Sequence, residues 1–329
     1  MCTALSLASN KGNNFFGRNM DIECYFNQQV MIVPERYKYV NKVTGELVTN
    51  KKAYIGMGTI IDSHPAMAEA MNENGLACAG LNFVGYAHYE KEPVKDKNNI
   101  APYDFIQWVV SGYDTVQEVK SAIKEIELVE VPIKEGIKVA NLHWMITDKM
   151  GESIVVEKTI EGIRVYDNTV GVMTNNPTFD WQITNLNEYI NLSQNQPEDT
   201  MWSEQKLKAL GVGAGTRGIP GDFGSVSRFI RMAYIRAKKP KINNNIEAIT
   251  QFFHMLDYAK MIRGGVITRD GLEDVTLYSS CMDQENAIYY YKTYKNSRIS
   301  GINMRNEKLD GEDIKVFPYQ DEQDIQYQN

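Results

Sequence analysis

The sequence has few cysteines and no long hydrophobic run. Only 4 cysteines occur among 329 residues, too few for the dense disulfide framework of a small secreted protein. No run of about 18 apolar residues is present, so we expect no membrane-spanning helix and no membrane partner. The first residues also lack the basic segment and apolar core of a secretory signal. These absences predict a cytoplasmic protein with reduced thiols.

Positive charge is scarce as well. Asp and Glu number 42 against 35 Lys and Arg, which gives a formal net charge of −7. Nucleic-acid-binding proteins usually carry a basic excess, so no nucleic-acid partner is expected. The apolar fraction of 43% is ordinary for a folded globular protein. No linker-like segment divides the chain, so we predict one domain over residues 2–329 with a polar tail at 310–329.

Alternating apolar and polar residues predict strands, most of them paired in hairpins. The first hairpin joins residues 3–9 to 15–17 across a polar turn, and a second joins 66–71 to 76–83. Helical spacing of apolar residues predicts five helices: 103–111, 115–127 with Asp114 as N-cap, 179–192, 225–237 and 246–256. Strand pairs mixed with helices indicate an α+β or layered sandwich fold.

Two patterns that often mark cofactor sites lack their usual context. Residues 213–218 fit the dinucleotide pattern G-x-G-x-x-G, but no apolar strand precedes them and Pro220 follows where a helix would run. The 4 histidines stand at no metal-ligand spacing. His143 falls in an apolar strand and is predicted to be a core or edge residue. We expect neither a metal nor a nucleotide cofactor.

Cys2 is the most distinctive residue of the sequence. Because its side chain is small, Met1 can be removed, which would leave Cys2 with a thiol and a free α-amino group. Ordinary pKa values are about 8.5 for a thiol and about 7.7–8.0 for an α-amine. One residue could then supply both a nucleophile and the base that activates it. The alternative is an incidental cysteine at a frayed terminus.

The first hairpin returns towards Cys2 with the residues GRNMD at 17–21. Across a short hairpin, Arg18 and Asp21 would lie near Cys2. A carboxylate there can hydrogen-bond the α-amine, and a guanidinium stabilises the thiolate by lowering the thiol pKa. A surface ion pair explains Arg18 and Asp21 equally well from the residues alone.

Several blocks of sequence, in the same order, resemble the choloylglycine hydrolase family. They are MCT at 1–3, FGRNMDIE at 16–23, ENGL at 73–76, GLNF at 80–83, VMTNNP at 172–177, GIPGD at 218–222 and SVSRF at 225–229. The family comprises the bile salt hydrolases and the penicillin V acylases, within the N-terminal nucleophile superfamily. The resemblance extends over nearly the whole chain.

The resemblance implies a role for each matching polar residue. Cys2 corresponds to the nucleophile, with its own amine as the proton shuttle. Asp21 corresponds to the carboxylate that orients this amine, and Arg18 to the guanidinium beside the thiol. The other matching residues are an oxyanion-hole pair, Asn82 and Asn175, and a further polar site residue, Arg228.

The resemblance also implies the fold and the chemistry. The fold would be a four-layer αββα sandwich, with two mainly antiparallel sheets between layers of helices. The thiolate would attack an amide carbonyl and form a thioester. Water would then hydrolyse the thioester and free the thiol. No metal or organic cofactor would take part. Relatives assemble as tetramers, so a homotetramer is expected.

Asn82 favours conjugated bile salts, because penicillin V acylases resemble one another in having tyrosine at this position. Four apolar residues match positions of the family's bile-salt pocket, although each could equally belong to the ordinary core: Met20, Phe26, Ile133 and Ile137. The loop 211–213 matches a position that in some relatives follows a preference for taurine over glycine conjugates, and a flexible Gly-rich loop explains it as well.

Other interpretations stay open at this point. The chain could be a penicillin V acylase, another N-acyl amide hydrolase such as one acting on acyl homoserine lactones, or a catalytically inactive bile-acid-binding protein. Retention of Met1 would favour the last of these. Cys24 is expected to be a packed thiol, although a disulfide with Cys2 would silence the site if the two approach.

Overall fold

Most of the chain forms short β-strands. The computed structural model describes residues 1–329. Its strands in chain order are β1 (Cys2–Ala8), β2 (Asn14–Ile22), β3 (Gln29–Val33), β4 (Lys38–Val40), β5 (Leu47–Thr49), β6 (Tyr54–Ile61), β7 (His64–Asn72), β8 (Ala77–Asn82), β9 (Asn98–Ile100), β10 (Ile126–Leu128), β11 (Leu142–Thr147), β12 (Ser153–Thr159), β13 (Gly162–Asp167), β14 (Val172–Met173), β15 (Thr200–Trp202), β16 (Gln205–Leu207), β17 (Val275–Asp283), β18 (Ile288–Thr293), β19 (Ser300–Asn303) and β20 (Lys315–Phe317). The helices are α1 (Phe105–Gly112), α2 (Val116–Ala122), α3 (Phe179–Asn185), α4 (Ser225–Ala237) and α5 (Asn245–Asp257).

Two antiparallel sheets form the centre of the molecule. The six-stranded sheet has the order β14-β1-β2-β17-β18-β19, and the eight-stranded sheet has the order β13-β12-β11-β8-β7-β6-β3-β20. The predicted hairpins are confirmed as the neighbouring pairs β1/β2 and β7/β8. Because β17 lies beside β2, the last quarter of the chain packs against the N-terminal hairpin.

Helices cover the outer faces of both sheets. Helices α4 and α5 pack on the six-stranded sheet, and α1 packs on β7 and β8 of the eight-stranded sheet. One apolar core joins the two sheets, and a second lies under α1 and α2. All nine residues of β17 are buried, because an inner sheet is covered on both faces. The expected αββα sandwich is confirmed.

The predicted helix 115–127 is shorter in the structure, and its cap is a different residue. The helix α2 spans Val116–Ala122, and its N-cap is Thr115, whose hydroxyl accepts from Glu118 N at 3.2 Å. Asp114 instead donates its own N–H to the Glu118 carboxylate at 2.8 Å. The capping prediction is therefore wrong by one residue, because either side chain type can cap a helix.

The other helices differ from prediction only at their ends. The predicted helix 179–192 is α3, which ends at Asn185 and is followed by a 3-10 turn at Leu186–Tyr189. The helices predicted at 225–237 and 246–256 correspond to α4 and α5. No helix combines the length and the apolar character that crossing a bilayer requires.

The C-terminal tail contributes a strand and two anchoring contacts. Residues Lys315–Phe317 form β20, which pairs with β3 at the edge of the eight-stranded sheet. Further along, Tyr319 OH donates to the Leu277 carbonyl at 3.1 Å. Asp321 Oδ2 accepts from Tyr25 OH at 3.1 Å. The tail thereby contacts the loop between β2 and β3.

Candidate active site

Cys2 lies at the start of β1, between β14 and β2 in the six-stranded sheet. Met20 of β2 is directly opposite Cys2. The residue is only 4% exposed, and it lines a cavity. Its backbone N–H donates to Asn175 Oδ1 at 2.9 Å. These contacts fix the position of the thiol, unlike that of a cysteine at a frayed terminus.

Arg18 reaches the thiol from the neighbouring strand. Side chains two residues apart share a strand face, so Arg18 lies on the same face as the residue opposite Cys2. Arg18 Nη2 contacts Cys2 Sγ, and Nη1 donates to the Gly80 carbonyl at 2.6 Å. Burial alone would lower the pKa of Arg18, but the attraction of Cys2 and other negative groups raises it above its ordinary value. Arg18 is therefore a cation against the sulfur.

Asp21 lies beside a β-bulge, where the register of β2 and β17 shifts after Thr276. Bulges often redirect side chains next to active sites. Thr276 Oγ1 donates to Asp21 Oδ1 at 2.5 Å, whereas Asp21 Oδ2 is buried without a partner. Burial raises the pKa of Asp21, and the Arg228 guanidinium and the terminal amino group oppose this rise. Oδ2 can accept one more hydrogen bond.

Asn175 connects the two sheets at this point. Its Nδ2 donates to the Asn82 carbonyl at 2.8 Å, and the second N–H of this amide has no protein partner. Asn82 ends β8 and lies opposite Leu142 of β11. The next pair along is hydrogen-bonded, since Phe83 N–H donates to the Asn141 carbonyl, so Asn82 and Leu142 form a non-hydrogen-bonded pair. In such a pair the N–H of Asn82 points away from β11.

Arg228 extends from α4 into the same site and is wholly buried. Its guanidinium donates to Asn175 Oδ1 at 2.8 Å and to Thr3 Oγ1 at 2.6 Å, and it also contacts the Cys2 carbonyl. Burial lowers the pKa of Arg228, and Asp21 opposes this effect. The structure therefore connects the predicted polar residues around one thiol: Cys2, Arg18, Asp21, Asn82, Asn175 and Arg228.

A cavity of about 310 Å³ opens beside Cys2. Met20 and Phe26 line it as predicted, together with Met67 from β7. Ile133 and Ile137 do not belong to the lining: Ile133 is buried elsewhere and Ile137 is exposed. These two residues lie in the irregular segment between β10 and β11, where the Ile133 carbonyl accepts from Lys42 outside the cavity.

Met1 also lines the cavity. Its amino group donates to the Asp21 carbonyl at 2.7 Å and to Asp274 Oδ2 at 2.9 Å. Asp274 is 3% exposed, and its second oxygen has no partner. While Met1 is present, the Cys2 nitrogen is a peptide amide and cannot act as an amine.

Several residues at or near the site carry no sequence motif. Asp274 precedes β17, and Met67 and Glu69 lie in the otherwise apolar run AMAEAM at 66–71. A charged residue within such a run is the one signal that could have identified Glu69. The loop 211–213 is exposed and does not line the cavity. Cys24 is also exposed, so the prediction of a packed thiol is wrong. All four cysteines are unpaired.

Fold and site together define a class of enzyme. No group of three or more His, Cys, Asp and Glu side chains is arranged to hold a metal ion. The first strand of an αββα sandwich instead presents a thiol beside a cation and a cavity. This arrangement is that of a hydrolase with the N-terminal nucleophile fold.

Known proteins narrow this class to one family. Residues 2–317 match the model of the linear amide C-N hydrolases, choloylglycine hydrolase family. A bile salt hydrolase/transferase of Clostridium perfringens (strain 13 / Type A) is 47% identical over 319 residues, which are 97% of each chain. The chain therefore belongs to the choloylglycine hydrolase family.

Solved structures agree with this assignment. The crystal structure of the C2A mutant of a conjugated bile acid hydrolase from Clostridium perfringens is similar over 100% of both chains, with a TM-score of 0.95 and 46% identity. A penicillin V acylase from Agrobacterium tumefaciens is similar over 96% of this chain and 90% of that chain, with a TM-score of 0.76 and 21% identity. The second similarity concerns the fold alone.

Proposed function

We propose that this chain is a conjugated bile salt hydrolase, which cleaves the amide bond between a bile acid and glycine or taurine. The observation that carries the proposal is the position of Cys2 Sγ, which contacts Arg18 and lines a largely apolar cavity. An apolar wall with few polar groups suits a steroid. The family supplies the reaction type, and the relative named a bile salt hydrolase/transferase supports the substrate class.

The proposed mature protein is a single domain that begins at Cys2 and extends to residue 329. Removal of Met1 empties its part of the cavity and turns the Cys2 nitrogen into an α-amine. This nitrogen already lies 2.9 Å from Asn175 Oδ1. The buried, unpartnered Asp21 Oδ2 is available as a second acceptor. Two fixed acceptors would orient the amine towards its own thiol.

In the proposed mechanism, acylation begins when the Cys2 amine takes the thiol proton and Arg18 stabilises the thiolate. The sulfur then attacks the amide carbon, and the carbonyl π electrons move to oxygen to give a tetrahedral oxyanion. As the oxyanion collapses, the C–N bond breaks and the ammonium of Cys2 gives its proton to the departing nitrogen. Glycine or taurine leaves, and the bile acid remains as a thioester on Cys2.

Asn82 and Asn175 are the proposed oxyanion donors. Asn175 Nδ2 keeps one N–H for substrate after its bond to the Asn82 carbonyl. Arg228 holds the other end of the same amide at 2.8 Å, so this N–H keeps a fixed direction. In other enzymes the loss of one such donor costs about 2.7–4 kcal/mol of transition-state stabilisation.

Deacylation repeats these steps with water as the nucleophile. The Cys2 amine takes a proton from water as the oxygen attacks the thioester carbon, and the C–S bond then breaks to release the bile acid. A second activity uses the same intermediate, because an amine can attack the thioester in place of water and form a new amide. The Clostridium perfringens relative, a bile salt hydrolase/transferase, supports this activity.

The test measures amine release from taurocholate, glycocholate and penicillin V at equal concentrations. Cys2→Ala is the control, since it removes the sulfur and keeps the α-amine. We expect taurine and glycine release that disappears in the control. Release from penicillin V alone would place the chain with the acylases. No release from any substrate, in protein whose mass shows that Met1 is absent, would favour the inactive binding protein.

The proposal includes assembly as a cytoplasmic homotetramer. Large apolar side chains are exposed around the β15–β16 hairpin, among them Trp202 at 73% and Leu210 at 96%. Such exposed apolar surface is typical of protein interfaces, and four unpaired cysteines suit a reducing compartment. Light scattering should give a tetramer for the wild type and a smaller species for Trp202→Ser combined with Leu210→Ser. A wild-type monomer would contradict the proposed assembly.

A further inference from the structure

Glu69 is a wholly buried carboxylate that does not line the cavity. It lies on β7 of the eight-stranded sheet. Tyr289 OH donates to Glu69 Oε1 at 2.5 Å, and Tyr278 OH donates to Oε2 at 2.9 Å. Both tyrosines belong to the six-stranded sheet, so this one carboxylate joins the two sheets.

The same carboxylate faces the guanidinium that contacts the thiol. Glu69 Oε2 lies 3.9 Å from Arg18 Nε, and Arg18 Nη2 contacts Cys2 Sγ. Arg18 is 1% exposed, so solvent screens this row of groups very little. The positive charge of Arg18 therefore acts on Glu69 at one end and on the sulfur at the other.

Hydrogen bonds and a nearby positive charge compensate the buried negative charge of Glu69. A buried charge costs several kcal/mol unless charges and hydrogen bonds compensate it. Burial does raise the pKa of Glu69, while Arg18 and the hydroxyls of Tyr289 and Tyr278 oppose the rise. Both oxygens of Glu69 accept hydrogen bonds from the tyrosines, and its negative charge also attracts the Arg18 guanidinium.

We propose that Glu69 is a positioning residue for Cys2 that acts through Arg18. Its carboxylate holds the guanidinium in place against Sγ, and its negative charge offsets part of the positive charge that the sulfur experiences. The inference rests on the proposed function, in which Cys2 is the nucleophile. Glu69 itself touches no reacting atom.

The sign of the effect follows from the groups on each side. The groups that face the Cys2 thiol and nitrogen are Arg18, Asp21, Asn175 and Arg228. Asp274 bonds the Met1 amino group instead. The groups that face Glu69 are Arg18, Tyr278, Tyr289 and Ser280. A neutral residue in place of Glu69 leaves more of the Arg18 charge to stabilise the thiolate. The thiol pKa then falls, and the acid limb of kcat/KM moves to lower pH.

Two variants separate charge from geometry. In Glu69→Gln we expect the acid limb to move down by about 0.5–1 pH unit. Its kcat should fall about tenfold, with KM unchanged, because Arg18 loses the neighbouring negative charge and is then held by backbone carbonyls such as that of Gly80 alone. Tyr278→Phe keeps the charge and removes one hydrogen bond, so kcat should fall while the acid limb stays in place.

Asp283→Asn is the matched control. Asp283 is also a buried carboxylate, but it lies on the six-stranded sheet and its side chain bonds only Asn245 and Asn286. It should keep both kcat and the acid limb. Alkylation of Cys2 by iodoacetamide against pH gives the thiol pKa without any bile salt, so this inference can fail independently of the proposed substrate. The exposed Cys24 is replaced by serine in all samples.

A folded Glu69→Gln protein with an unchanged alkylation profile and unchanged kcat would overturn the inference, as would an equal shift in Asp283→Asn. If Glu69→Gln does not fold, Tyr278→Phe decides. A lower kcat at constant KM in Tyr278→Phe, with no such fall in Asp283→Asn, supports the positioning role. An unchanged kcat in folded Tyr278→Phe overturns it.

Discussion

Arg228 is the residue on which most of the site geometry depends, since its guanidinium contacts Asn175, Thr3 and the Cys2 carbonyl together. A lysine in its place keeps the charge but loses the fork that spans these partners. We expect Arg228→Lys to lower kcat/KM about 100-fold, which corresponds to about 2.7 kcal/mol. Steady-state kinetics with a conjugated bile salt measure the effect.

The control for this prediction lies one turn further along α4. Arg231 is also buried, but it donates to the carbonyls of Pro220 and Asp222 rather than to the site. Arg231→Lys should keep kcat/KM within about threefold of the wild type, which is about 0.7 kcal/mol. Equal losses in the two variants would mean that α4 itself had shifted, and the assignment of Arg228 would then be wrong.

Among the elements, β11 supports the site from the second sheet. His143 of β11 donates from Nε2 to the Thr174 carbonyl at 3.0 Å, and its Nδ1 contacts Glu157 Oε1 at 3.2 Å. The ring stacks on Phe83 with 4.2 Å between centroids. The prediction of a core histidine is confirmed, and its bond holds the residue that precedes Asn175.

We expect His143→Gln to lower kcat about tenfold, because one amide group cannot replace both ring nitrogens and does not stack on Phe83. His64→Gln is the matched control, since His64 is also buried on the eight-stranded sheet and contacts a buried carboxylate, Asp104, at 2.7 Å. Both variants should melt at lower temperature, and only His143→Gln should lose kcat. A similar loss of kcat in His64→Gln would assign the effect to stability alone.

The hairpins could be predicted from the sequence, but the ends of some elements and the last strand could not. Alternation of apolar residues predicted the β1/β2 and β7/β8 hairpins, because a residue's strand face depends only on its neighbours. The cap of α2 was missed, since both Asp114 and Thr115 can cap and only the folded chain places Thr115 Oγ1 on Glu118 N. The strand β20 was missed because its pairing with β3 spans nearly the whole chain.

The site residues, too, include some that sequence reasoning could place and others that it could not. Arg18 could be placed near Cys2 from spacing within one hairpin. Asn175 and Arg228 reach Cys2 from distant parts of the chain, so the residues alone gave no reason to group them, and the family resemblance did. Glu69 belongs to no motif, because its partners lie on the other sheet. Gly17 has a clear reason only in the structure: a Cβ there would lie 2.0 Å from the Ser280 carbonyl oxygen.

At the scale of the whole molecule, the C-terminal tail supports the cavity. Asp321 accepts from Tyr25 OH at 3.1 Å and pairs with Lys295 at 2.9 Å. Phe26, which follows Tyr25 in the sequence, lines the cavity. Asp321→Asn should raise KM for a bile salt about two- to fivefold with kcat unchanged, since the loss of one partly exposed contact costs roughly 0.5–1 kcal/mol.

Asp324→Asn tests whether the effect is specific to this contact. Asp324 belongs to the same tail but pairs with Arg298, away from the cavity. Its replacement should leave KM and kcat as they are. A fall in kcat rather than a rise in KM for Asp321→Asn would show that the tail acts on the thiol and not on the substrate wall.

Met1 lines the cavity and precedes Cys2, so its proposed removal would separate folding from activation in time. The contacts that join the two sheets, such as those of Glu69, are complete while Met1 is still attached. Under the proposed removal of Met1, a newly made chain is a finished but silent enzyme. The pace of a single trimming step, and not the pace of folding, then sets when a population of molecules begins to work.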